Sequence, residues 1–233
     1  MNDYKNKKRN LIERLNSGPV ICAEGFLFEA ERRGYLASGE FVPELALENP
    51  EALKNIHIDF QHAGSDVVEA FTYKGHREKM RIIGKEDLLE PLNRAALRIA
   101  KEVADNPGEG KEKNLLAGNI SNTNIWDPKD KDKQNEVRSM FAEMVGWSLD
   151  EGADFVMVKP GMPYLDIIKL IKDTFKIPVF AYQVSGEYSL IKNSIDNKIL
   201  KEEVIIESLI SFKRAGANAI VSYYADRVND LIK

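Results

Sequence analysis

Three segments of the chain repeat one order of polar and apolar positions: 62–73 (HAGSDVVEAFTY), 150–161 (DEGADFVMVKPG) and 214–225 (RAGANAIVSYYA). Each passes through a glycine, a small residue and an Asp or Asn into a β-branched or apolar run. A glycine so placed predicts a left-handed cap that closes a helix, and the run behind it predicts a buried strand reached without a long loop. Reading outward from these joints places strands near 19–23, 66–72, 115–120, 154–159, 178–184 and 218–223. Between them, 50–64, 89–105, 135–152, 164–175 and 201–216 carry apolar residues three and four apart, which predicts helices.

Alternating strands and helices imply a parallel sheet covered by helices, and the fold class expected is α/β of the (β/α) barrel type. A closed barrel of eight such units takes about 250 residues. This chain offers six, so the barrel is expected to be incomplete, with open strand edges that invite pairing and hence a homo-oligomer. Two polar stretches, 106–113 and 122–136, are expected as exposed loops.

Composition removes several function classes. Thirty-three Lys and Arg against thirty-seven Asp and Glu leave a net charge of −4 over 233 residues, which gives no field to attract nucleic acid. The single cysteine, Cys22, excludes a disulfide framework and a multi-cysteine zinc site. No apolar run approaches the roughly 18 residues of a membrane span, and the N-terminus has no apolar core of a signal peptide. These features place the protein in the cytoplasm.

The candidate for chemistry is Lys159, which follows the apolar run Phe155-Val156-Met157-Val158 and precedes Pro160-Gly161. In a parallel βα architecture the carboxyl ends of strands form the functional face. An amine there, desolvated, attacks a carbonyl to form a Schiff base; a structural lysine paired with a carboxylate would share the same spacing. The next strand ends in Ser185-Gly186, placed either to bind a carboxylate or to cap the following helix. The last ends in Tyr223-Tyr224, each a phenol at that face or a packing ring. His57 and His62, five apart on one helix, do not share a face for a metal, and neither they nor His76 are expected to bind one. Cys22 reads as a small core residue, and Asp166 and Asp173 as surface helix charges.

Residues 152–164, Gly-Ala-Asp-Phe-Val-Met-Val-Lys-Pro-Gly-Met-Pro-Tyr, resemble the active-site signature of porphobilinogen synthase, or 5-aminolevulinate dehydratase. The resemblance continues through 181–188, 207–217 and Ser222-Tyr223-Tyr224. It implies that Lys159 is the Schiff-base lysine for the first 5-aminolevulinate and that Ser185 and Tyr223 bind its carboxylate. The product of the family's condensation enters tetrapyrrole and heme biosynthesis. Residues 19–154 instead resemble the front of homocysteine S-methyltransferases of the betaine-dependent type, on Ala23-Glu24-Gly25-Phe26, Glu31-Arg32-Arg33-Gly34-Tyr35, 63–73 and 116–120. Those barrels hold homocysteine as a zinc-bound thiolate through cysteines absent here. Ala23 and Lys74 also depart from that pattern, while Glu24 and Gly25 lie where a ligand amine would be met.

The two resemblances divide the chain into 1–153 and 154–233, as a chimeric barrel. The function expected is a porphobilinogen synthase-type lyase, and the alternatives are a homocysteine S-methyltransferase or a non-catalytic chimera. Zinc or magnesium serves the resembled families, and no ligand set for either is recognisable. The synthases' second substrate site, with its further lysine and arginines, also has no recognisable counterpart.

Overall fold

A computed structural model describes residues 8–22, 25–36, 44–73, 75–225 and 227, so Ala23, Glu24 and Lys74 lie outside the described residues. The chain divides into two compact units, Met1–Phe155 and Val156–Lys233. The first carries α1 (Leu11–Ser17), α2 (Phe26–Arg32), α3 (Leu45–Glu48), α4 (Pro50–His62), β1 (Val67–Glu69), α5 (Arg77–Ile82), α6 (Leu89–Asp105), β2 (Leu115–Ile120) and α7 (Lys131–Asp150). Within it β1 and β2 pair in parallel, Val67 opposite Leu115.

The second unit takes over inside β3 (Phe155–Val158) and continues with α8 (Leu165–Phe175), β4 (Val179–Gln183), α9 (Ser185–Asp196), α10 (Glu203–Ala215) and β5 (Ala219–Ser222). There β4 pairs in parallel with both β3 and β5. Strands joined through helices and paired in parallel make a fold of the (β/α) barrel type, with five strands among the described residues where a closed barrel has eight.

Six units were expected, and among the described residues of 19–23 no strand forms. Cys22 forms an isolated parallel bridge to Val67. Cys22 is half-buried rather than a core residue. The stretch 122–136 is also not all loop. α7 starts at Lys131 because the Asp130 carboxylate accepts from the Asp132 and Lys133 amides at 2.9 and 3.1 Å, an N-cap inside a run too polar to show helical periodicity. α5 was not expected; His76 caps it, its Nδ1 accepting from the Lys79 amide at 3.3 Å.

The three joints form as expected, and each element of the repeated pattern has a separate task. Gly64, Gly152 and Gly216 have φ of 105°, 82° and 105°, the left-handed region that a side chain disfavours. The small residue after each donates its amide to the carbonyl five residues back: Ser65 to Phe60, Ala153 to Ser148, Ala217 to Phe212. The Asp or Asn then grips the preceding segment of its own unit. Asp66 accepts from the Ile21 amide at 2.8 Å, Asp154 from Leu116 at 2.7 Å, and Asn218 from Val179 at 3.1 Å.

Leu116 is fully buried, so its amide has no water to turn to. Asp154→Ala is therefore expected to cost about 1–3 kcal/mol in urea unfolding, the penalty of an unsatisfied buried donor. Asp154→Asn, which keeps the accepting oxygen, should recover most of that. Equal losses in both variants would instead assign the effect to the Asp154 ion pair with Lys8 at 2.5 Å.

The core of the first unit gathers Phe26, Ala30, Leu45, Leu53, Ile56 and Phe71 around Ala96 of α6. His57 lies among these apolar side chains, 1% exposed, edge-on to Phe26, and neither ring nitrogen has a hydrogen-bond partner. Burial lowers its pKa to about 3. The unfolded chain takes up a proton near pH 6.5 that the folded chain refuses, so folding loses roughly 1.4 kcal/mol per pH unit as the pH falls from there toward 3. His57→Leu should remove that slope: between pH 6.5 and 5 the wild-type protein is expected to lose about 2 kcal/mol more than the variant. Parallel losses in the two proteins would show that His57 is not held neutral.

Candidate functional site

The site is built from the second unit alone. All four residues of β3 are buried, and Lys159 follows directly, itself 9% exposed. Its stem therefore lies in the interior while its head is carried to the carboxyl end of the strand. The ammonium lies 5.2 Å from the centroid of the Tyr182 ring on β4, within cation–π reach. The Tyr182 hydroxyl is 3.4 Å from that of Tyr223, the residue that follows β5. Tyr223 in turn packs its ring 5.3 Å from that of Tyr188 on α9. Lysine and tyrosines so form a line across the carboxyl ends of β3, β4 and β5.

Tyr223 and Tyr224 have opposite fates. Tyr223 is 53% exposed, and with Tyr188 and Tyr224 it lines a cavity of about 190 Å³. Tyr224 is buried, its hydroxyl donates to the Tyr188 carbonyl at 3.2 Å, and burial raises its phenol pKa. The packing reading thus holds for Tyr224, while Tyr223 keeps its phenol at the surface. Beneath them, buried Gln183 donates to the Ser208 hydroxyl at 3.0 Å and accepts from the Ser222 hydroxyl at 2.6 Å. This network ties the ends of β4 and β5 to α10, which fixes where Tyr182 and Tyr223 emerge.

Ser185 is the first residue of α9 and is exposed. It does not cap the helix. The N-cap is Val184, and the Glu187 carboxylate accepts the Val184 amide at 2.8 Å instead. The structure brings Lys159 to Tyr182 and Tyr182 to Tyr223, and places Ser185 two residues beyond the end of β4. Tyr182 and Glu187 went unnoticed in the sequence. An acid three residues after a strand-end valine is a capping signal that would have drawn attention to Glu187; nothing local marks Tyr182.

No three His, Cys, Asp or Glu side chains converge as a metal-binding group among the described residues. With one cysteine in the chain, a multi-thiolate site of the kind that activates homocysteine does not fit these residues. His57 is buried in the core, and His76 caps α5 through Nδ1. Among the described residues no helix is long and apolar enough to cross a membrane.

Parallel βα units with an amine at the carboxyl end of a buried strand define the class, and the comparisons then divide between two families. The family model for delta-aminolevulinic acid dehydratase matches residues 125–231, beginning ahead of the 152–154 joint. The dehydratase of Methanothermus sociabilis is 60% identical over 80 residues, 34% of this chain and 25% of that protein. Betaine–homocysteine S-methyltransferase 1 of Bos taurus is 34% identical over 160 residues, 66% of this chain and 38% of that protein.

Among solved structures, the metallated homocysteine methyltransferase MmuM of Escherichia coli shares the fold, with a TM-score of 0.59 at 18% identity over 74% of this chain and 65% of that one. The chain is thus similar to dehydratases and, over a larger part, to homocysteine methyltransferases, while spanning about a quarter and two fifths of the two curated relatives' lengths.

Proposed function

We propose that the chain is a porphobilinogen synthase-type lyase in which Lys159 forms a Schiff base with 5-aminolevulinate. The carrying observation is the Lys159 amine at the carboxyl end of buried β3, inside the stretch that matches the dehydratase family. The amine nitrogen adds to the ketone carbon, the carbinol hydroxyl leaves as water, and the substrate is held as an imine. Ser185 and the Tyr223 phenol take the substrate's carboxylate by hydrogen bonds, and the Tyr182 ring lies against the charged form of the amine. A second 5-aminolevulinate then condenses with the bound one; its amine displaces the Lys159 nitrogen from the imine carbon, a second water is lost, and the free lysine is regenerated.

Borohydride reduction in the presence of 5-aminolevulinate tests it, followed by peptide mass mapping. A stable adduct on Lys159 is expected. A folded protein with no adduct overturns the reading and leaves a chimera that at most binds a small carboxylate.

A homocysteine S-methyltransferase is the second reading, favoured by the greater length of that likeness. Stoichiometric zinc together with methionine formation from homocysteine would put it first. Its chemistry needs a metal-bound thiolate that the residues present do not support, and no step is assigned to it.

A further inference from the structure

Glu187 stands at the third position of α9, yet two of its three hydrogen-bond donors belong to another segment. Its Oε2 accepts from the Val184 amide at 2.8 Å, which closes the first turn of the helix. The same oxygen accepts from the Gly161 amide at 3.2 Å, and Oε1 accepts from the Met162 amide at 2.6 Å. A capping carboxylate needs only the first of these. The other two reach back 26 and 25 residues to the turn that follows Lys159.

That turn is held from other sides as well. The Gly161 amide also donates to the Tyr182 carbonyl at 2.8 Å. A Cβ on Gly161 would lie 2.7 Å from the ring of buried Phe212. Tyr182, whose ring faces the Lys159 ammonium, thus holds the turn by its backbone, while Glu187 ties the same turn to the strand end that carries Ser185.

We propose that Glu187 is a positioning residue: its carboxylate sets the Lys159 turn and the Ser185 turn in one geometry, so that amine and carboxylate-binding hydroxyl meet the same substrate molecule. This rests on the Schiff-base reading of Lys159. A carboxylate suits the task because it only accepts, and all three groups around it are N–H donors. An amide at this position would turn one acceptor into a donor facing an N–H.

The test compares the rate of borohydride-trapped adduct formation at Lys159 across a range of 5-aminolevulinate concentrations in wild type, Glu187→Gln and Glu187→Ala. Each protein is first shown to be folded by circular dichroism. Glu187→Ala is expected to lower the maximal rate at least tenfold and Glu187→Gln less. Added formate, a carboxylate that fits the vacated space, should restore part of the rate in Glu187→Ala only. A purely structural role would lower the melting temperature and leave the rate per folded molecule unchanged, and that result overturns the inference alone. Absence of an adduct in the wild-type protein overturns the Schiff-base reading and this inference with it. Should Glu187→Ala not fold, Glu187→Gln decides: a slowed maximal rate supports the role and the wild-type rate overturns it.

Discussion

Replacing Lys159 by methionine is expected to abolish the borohydride-stable adduct with 5-aminolevulinate while leaving the circular dichroism spectrum unchanged. The stem of Lys159 is buried where β3 ends, and methionine is an unbranched side chain that can follow the same path without a charged head. What it removes is the nitrogen that, in the Schiff-base reading, attacks the ketone. Among the described residues, no other side chain of the second unit combines an amine, near-complete burial and a place at a strand's carboxyl end, so none of them should substitute for it. Peptide mapping checks this. An adduct that persists in the variant would move the chemistry to another lysine, and the line of tyrosines across the strand ends would then be packing only.

Phe212→Ala should give the largest loss of stability, about 3–5 kcal/mol in urea unfolding, because it empties a fully buried ring. Phe212 lies on α10 with its ring against Gly161, which makes it the apolar floor of the Lys159 turn. Gly161→Ala attacks the same contact from the other side. An added Cβ would meet Phe212 at 2.7 Å and the Tyr182 carbonyl at 3.1 Å, an overpacking that costs about 1–3 kcal/mol. The double variant is the sharper measurement. With the ring gone the new methyl has space on one side, so its cost should fall well below the sum of the two single losses. Strict additivity would show that Gly161 and Phe212 do not share the contact described here.

The sequence was legible where a task is local and obscure where it is shared between distant segments. Gly64, Gly152 and Gly216 announce helix ends because left-handed backbone has few alternatives to glycine, and the apolar runs behind them announce strands. Lys159 could be placed at a strand end by counting along one such run. α5 was missed because it is six residues long and shows less than two turns of periodicity. A first strand was expected from an apolar run at 19–23, but among its described residues the run gives an isolated bridge from Cys22 to Val67 and the Asp66 hold on Ile21 in place of a strand. In the site, spacing placed Ser185 and Tyr223 at strand ends with two readings each, and only the family resemblance chose between those readings. Tyr182 and Glu187 act through partners 23 to 26 residues away, and one-dimensional spacing does not encode such meetings. The Asp or Asn of each joint was visible as a letter, but its hold on an amide upstream was not.

That hold has a consequence for how such a fold can change. A parallel strand that slides by two residues keeps its buried face, so alternation of side chains alone leaves its alignment open. Asp66, Asp154 and Asn218 remove the ambiguity by each taking one backbone amide of the segment before it, from Ile21, Leu116 and Val179. Every amino acid except proline supplies that amide. The grip therefore asks nothing of the side chains upstream. Substitutions along the upstream segments, proline apart, thus leave these three grips in place.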